Sequence, residues 1–170
     1  MKQQDNPGQN DREELGARYL TFYTDGQLFG LPITEIVQIT KMQEIVELPE
    51  HPPYVKGVID LRGQIIPVVD VRLRFGKGEV PPGDRTCIII THVGGSDFGL
   101  IVDAVDEVAD IPAGQIAPPP RVRANGADAY ITGIARLKAG GQKERVVLLL
   151  HAGRVLGEAE ALASAQEQPA

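Results

Sequence analysis

The stretch YVKGVIDLRGQIIPVVDVRLRFG (54–76) sets two β-branched apolar runs on either side of a short polar tip, DLRG. Val and Ile at this density fit a pleated, buried surface, and Gly in the tip fits a turn. The stretch therefore reads as a β-hairpin. A two-residue turn at Arg62-Gly63 would force Arg62 to positive φ, which is costly for a residue with a Cβ. The expected turn is type I over Asp60-Leu61-Arg62-Gly63, with Asp60 capping it and Gly63 in the left-handed conformation. In that register Ile59 faces Ile65, Val58 faces Ile66, and Leu61 and Arg62 project outward. Pro67 lacks a donor, which points to an edge strand or a bulge. An exposed apolar residue beside an Arg suits a protein contact. The alternative is that Leu61 folds back onto a neighbour and Arg62 is an ordinary solvated charge.

Strands extend outward from this hairpin in both directions. RYLTFYTDGQLFGLPI (18–33) is a second hairpin around Asp25-Gly26, a strong signal for a type I′ turn. If Thr24 pairs with Gln27, then Phe22 meets Phe29 and Leu20 meets Leu31, giving one apolar face. In 33–42, Thr34 can cap a single helical turn at EIVQI, with a β-branched strand as the alternative. QEIVELP (43–49) reads as a short strand and EHPPYVKG (50–57) as a Pro-rich connector. TCIIITHV (86–93) and FGLIVDAVDEVADI (98–111) are strands joined across GGSD. A long loop with three consecutive prolines (112–129) leads to a last hairpin, YITGIARL (130–137) and ERVVLLLHA (144–152). The Ala- and Glu-rich stretch 153–168 reads as a terminal helix. About nine strands without crossover helices indicate an all-β barrel or sandwich. No exact sequence repeat is visible.

Composition agrees with a soluble globular chain. The 170 residues are 42% hydrophobic and 24% charged, with 5% aromatics and no Trp, so Val, Ile and Leu must build the core. The net charge of −6 argues against nucleic acid, which selects a basic face. No apolar run approaches the ~20 residues of a membrane helix. The polar start has no signal-peptide core, so a cytoplasmic location is expected.

Catalytic and metal-binding patterns are scarce. His51, His92 and His151 lie in a loop and at two strand ends, without zinc spacing. The acidic run DAVDEVAD (103–110) lacks the Gly and alternating ligands of a calcium loop. Phosphate-cradling glycine motifs and a nucleophile elbow are absent. Cys87 sits in an apolar run and reads as a buried small hydrophobe. A binding module without cofactor or catalysis is the reading this leaves, with an enzymatic or small-ligand-binding β-barrel as the rival.

The hairpin itself resembles the signature of CheW-type chemotaxis coupling proteins, in which Gly-Val-x-Asn-Leu-Arg-Gly precedes an apolar run containing Pro and an Asp-Leu-Arg. FGLPITEIVQI, FGLIVDAVDEV and YITGIARL…ERVVLLL follow the family's order over about residues 18–157. The resemblance implies two intertwined, five-stranded, SH3-like β-barrels with a short C-terminal helix. It divides the chain into a disordered arm (1–17), the CheW-like domain (18–157) and a fraying helix or tail (158–170).

It also implies a non-catalytic adaptor that couples the cytoplasmic tips of methyl-accepting chemoreceptors to the regulatory domain of the CheA histidine kinase. The adaptor would be cytoplasmic, at receptor arrays, and not inserted in the membrane. Rings of coupling protein with kinase modules, or of coupling protein alone, belong to this picture. A component that binds only kinase modules is a further alternative. By position, Ile36, Gln38, Gly57, Leu61 and Arg62 correspond to receptor contacts, and Lys56, Ile65, Arg121 and Val122 to kinase contacts. Gly57 is expected to act by permitting close backbone approach. Departures from the family pattern are Gln38 for a frequent Glu, Asp60 for Asn, Val122 for an aromatic, and His151 for a frequent Asp.

Overall fold

The computed structural model describes residues 17–119, 127–137 and 143–162. These residues form two mixed sheets joined by short turns. Strands β1 (Ala17–Thr24) and β2 (Gln27–Pro32) make the first hairpin. Its register is the expected one: Thr24 pairs with Gln27, Phe22 with Phe29 and Leu20 with Leu31. Asp25 and Gly26 both have positive φ, as a type I′ turn requires. A 3-10 turn at Ile33–Glu35 leads into β3 (Ile36–Lys41). The strand alternative thus prevails over the helical turn at EIVQI. Thr34 caps nothing, and the β-branched residues pair with the next hairpin instead. QEIVELP is no strand; it contributes one isolated bridge, Val46 to Val58.

The hairpin of 54–76 follows as β4 (Val55–Leu61), β5 (Gln64–Asp70) and the one-turn helix α1 (Val71–Arg74). Its turn differs from expectation. Leu61 pairs with Gln64, so the loop is Arg62-Gly63 alone, with φ of 55° and 87°. Ile59 accordingly faces Ile66, Val58 faces Pro67, and Asp60 faces Ile65. The physical reason lies in twist: a type I′ turn matches the right-handed twist of paired strands. It outweighs the roughly 1–2 kcal/mol that left-handed backbone costs a residue with a Cβ. Asp60 keeps its role, accepting the Gly63 amide at 2.8 Å. Pro67 lies on an inner strand, one residue before the pairing of β5 with β7 begins at Val68.

The remaining strands are β6 (Cys87–Val93), β7 (Ser96–Val102), β8 (Ala104–Ile111), β9 (Ile116–Ala117), β10 (Ile131–Leu137) and β11 (Arg145–Leu150). Helix α2 (Ala152–Leu156) closes the fold, with residues 159–162 helical beyond it. One sheet runs β8-β1-β2-β11-β10-β9 and the other β3-β6-β7-β5-β4. We call them barrels A and B. In B the segment after β3 reaches across to β4 through Val46, joining the two sheet edges.

Three apolar clusters explain the sequence pattern. Leu28, Ala135, Val147 and Leu149 fill barrel A, and Ile59, Ile66, Val68, Ile88, Ile90 and Ile101 fill barrel B. The largest cluster lies between the barrels and includes Leu20, Phe22, Phe29, Leu31, Ile89, Phe98 and Leu100. Strands β6 and β7 thus bury both faces, which is why CIII and FGLIV are unbroken apolar runs.

An internal two-fold repeat, invisible as exact sequence, relates 17–76 to 86–157. FGLPITEIVQI aligns with FGLIVDAVDEV, YVKGVIDL with YITGIARL, and the β5–α1 corner with the β11–α2 corner. The backbone agrees. Gly30 pairs with Leu149 as Gly99 pairs with Val68, and β4 and β10 carry the same register shift, at Val55/Gly57 and Ile131/Gly133. Each barrel combines the opening hairpin of one repeat with the closing strands of the other, so the halves are exchanged.

Arg74 ties the repeats together. Its guanidinium lies 4.4 Å and 4.7 Å from the ring centroids of Tyr54 and Tyr130, which are repeat-related. It also donates to the carbonyls of Val155 and Arg154 at the end of α2.

Candidate interaction surface

The surface is built from the edge strands β3 and β8 and the β4–β5 hairpin. On β3 exposure alternates. Ile36 is half-buried against the central cluster and Gln38 half-buried opposite Ile90, whereas Val37 and Ile39 are 49% and 44% exposed. Ile39 pairs with Ile89, whose side chain belongs to the central cluster, so Ile39 continues that apolar face to solvent. On β8 the repeat-related residue is Val108, 51% exposed and paired with Leu20 of the same cluster. Strands β3 and β8 therefore each extend the inter-barrel core outward at exposed apolar residues, together called the apolar rim. Sequence reasoning selected Ile36 and Gln38 and missed Val37, Ile39 and Val108. The signal that finds them is period-two alternation, which the helical reading of EIVQI obscured.

At the hairpin tip Arg62 is exposed and has no ion-pair or hydrogen-bond partner among the described residues, whereas Leu61 packs against the barrel B interior. Leu61 thus takes the folded-back alternative and does not project outward with Arg62. Gly57 is buried and contacts the chain, with no open surface of its own. A Cβ there would stand 2.0 Å from the Val46 carbonyl oxygen, and its φ is 141°. This glycine lets the bridging segment close the barrel.

The second candidate group divides. Ile65 is 46% exposed and shares an outer face with Val46, Val58 and Pro67. Val46 is itself among the most exposed apolar residues, at 58%. Lys56 is half-buried and paired with Glu79. It lines a small cavity of about 70 Å³ with Asp70 and Arg72, away from the Ile65 face. Arg121 and Val122 lie outside the described residues. The repeat twin of Ile65 is Val146 on barrel A, 45% exposed, so each barrel presents one comparable apolar position on its outer face.

The acidic run 103–110 is a set of ties. Asp103 accepts the Asp25 amide at 2.8 Å and Arg72 Nε at 3.2 Å, and Arg72 reaches Asp25 at 3.1 Å. Hydrogen bonding to Asp103, with smaller help from Asp25, raises the Arg72 guanidinium further above its already high ordinary pKa. Asp106 accepts from Thr21 and pairs with Arg145; Glu107 pairs with Arg145 and Asp110 with Arg18. These contacts bind the β7–β8 crossover to the first hairpin and to α1. Among the described residues no group of three His, Cys, Asp or Glu side chains is placed to hold a metal ion. Among them, too, no helix is long and apolar enough to cross a membrane.

The comparisons with known proteins agree with this architecture. The CheW-like domain family matches residues 18–160. The chemotaxis protein CheW of Klebsiella aerogenes is 29% identical over 148 residues, covering 87% of this chain and 86% of that protein. The CheW of Helicobacter pylori is 30% identical over 149 residues, with 87% and 86% covered. The crystal structure of the scaffolding protein TtCheW from Thermoanaerobacter tengcongensis superposes with a TM-score of 0.71 at 35% identity. That likeness covers 79% of this chain and 88% of the other.

Proposed function

The chain belongs to the CheW-like domain family, and from that premise we propose that it holds methyl-accepting chemoreceptor tips and a CheA-type histidine kinase in one complex. It is a chemotaxis adaptor; the two partners and their sites are the proposal. The observation that carries it is the separation of two exposed features on barrel B. Arg62 stands at a tip, held in a left-handed conformation, and Ile65 opens an apolar outer face. Both features are exposed, and Arg and apolar residues are the types that anchor protein contacts.

The receptor would take Arg62 together with the rim of Val37, Ile39 and Val108, with Ile36 and Gln38 beneath it. Gly57 and Leu61 shape the hairpin from within. The kinase regulatory domain would take the Ile65–Val46 face. Lys56, paired with Glu79 away from that face, would contribute to kinase binding only indirectly, and Arg121 and Val122 would serve a second contact. Twin outer faces on opposite barrels allow head-to-tail rings, because such contacts close when the rotation permits. The chain performs no catalysis in this role and needs no cofactor.

Arg62→Asn separates fold from function. Asn-Gly is the preferred type I′ pair, so the variant should gain about 0.5–1 kcal/mol in urea unfolding. The same change should weaken a receptor-tip fragment by about 1–3 kcal/mol in calorimetry. Ile65→Asp should leave receptor affinity intact and abolish kinase binding. Loss of both partners in either variant, or of neither, removes the two-site assignment.

A further inference from the structure

Strands β3 and β8 are repeat-related edge strands, and each packs a repeat-related side chain, Ile36 or Val105, against the central cluster. Their polar ties are not alike. Where β8 begins, Arg72 of α1 reaches Asp103 at 3.2 Å and Asp25 at 3.1 Å, and Asp103 accepts the Asp25 amide at 2.8 Å. The positions related to Arg72, Asp103 and Asp25 by the repeat are Gly153, Thr34 and Gly94. Thr34 is exposed and caps nothing, and a Cβ at Gly94 would meet no atom within 4 Å. The latch that holds the entry to β8 thus lacks all three of its parts at the entry to β3.

The middle of the two strands repeats the contrast. Thr21 is fully buried; its hydroxyl accepts the Glu107 amide at 3.1 Å and donates to Asp106 at 2.8 Å. Arg145 pairs with Asp106 at 3.2 Å and with Glu107 at 2.9 Å. In the other repeat Ile90 stands for Thr21, Val37 for Asp106 and Gln64 for Arg145. Among the described residues the side chains of Gln38 and Lys41 have no hydrogen-bond or ion-pair partner. Two neutral ties serve β3: Thr91 donates to the Glu35 carbonyl and Gln43 to the Thr40 hydroxyl, each at 2.9 Å. Charge-assisted bonds from an edge strand to its neighbours resist local opening more strongly than neutral ones.

We propose that β8 is the fixed side of the apolar rim and β3 its compliant side. Strand β3 opens locally and refits Val37 and Ile39 to a bound partner, while β8 presents Val108 in one position. The refitting rests on the receptor reading above, whereas the difference in opening belongs to the free chain.

Hydrogen exchange of the free, full chain, read amide by amide in nitrogen-15 NMR, tests this. The β3 amides bonded to β6 should open about ten- to a hundredfold more often than the β8 amides bonded to β1. Arg72→Met and Arg145→Met, which keep an aliphatic stem, should each bring β8 toward the level of β3 and leave β3 unchanged. Equal protection of the two strands in the parent overturns the proposal. So does a loss shared equally by both strands in these variants, because the ties would then be global. A bound receptor-tip fragment should raise the protection of β3 more than that of β8, and a complex in which β3 stays as labile as before overturns the refitting. A fragment that fails to bind counts against the receptor reading, while the free chain still decides the difference between the strands.

Discussion

Two glycines in one hairpin show how differently a residue type can be used. At Gly57 an added Cβ would meet a backbone oxygen 2.0 Å away, whereas at Gly63 it would meet nothing within 4 Å. Both have positive φ. Gly63→Ala should therefore cost only the left-handed penalty, about 1 kcal/mol. Gly57→Ala should cost about 3 kcal/mol or more, because backbone cannot step aside as a side chain can. Urea unfolding of the two variants measures the difference, and equal costs would mean that the Val46 bridge does not close the barrel. The sequence pointed to Gly57 as a close approach, but only the fold identifies Val46 as what approaches. Arg62 was misjudged at this scale. The cost of positive φ is local and calculable, whereas the twist of two seven-residue strands that overrides it is not.

Among the elements, the hairpin with the Asp25-Gly26 loop was readable to the register, since turn chemistry and alternation agree there. The next was not, because Ser96 and Asp97 of the expected GGSD joint pair with Val93 and His92, and the expected single strand over 98–111 breaks at Asp103. Ile36–Lys41 was not, because β-branched residues at helix-like spacing satisfy two periods at once. The crossover into that strand carries Glu35, whose carboxyl pKa is raised by burial and partly lowered again by His151. A raised carboxyl pKa stabilises the fold below the unfolded-state value and removes that stability as pH climbs through the folded value. Glu35→Gln should consequently be more stable than the parent at pH 7 in denaturant unfolding. That advantage should shrink as pH falls through the raised folded value and be gone below the ordinary value of 4.5. A Gln variant less stable at pH 7 would show that Glu35 has a partner worth more than its desolvation.

For the whole molecule, the exchanged repeat was hidden because few identities survive between the halves. What persists is small and positional: paired glycines, paired tyrosines, and two helix caps made by Asp70 and His151. The strand content and the barrel class were readable without it; the exchange of hairpins between barrels was not, since no local pattern encodes which sheet a strand joins. The exchange matters for function. It makes one rigid body of two barrels, with the apolar rim of Val37, Ile39 and Val108 along its edge strands and an exposed Ile65 or Val146 on each barrel. The proposed role needs separate surfaces for two partners, and these exposed residues lie on different strands of the body.

Sedimentation of a three-component mixture tests that claim most directly. A receptor-tip fragment and a kinase regulatory domain should co-sediment only when this chain is present, in a single species containing all three. Two separate binary complexes that exclude each other, or no shift of either partner, would contradict it.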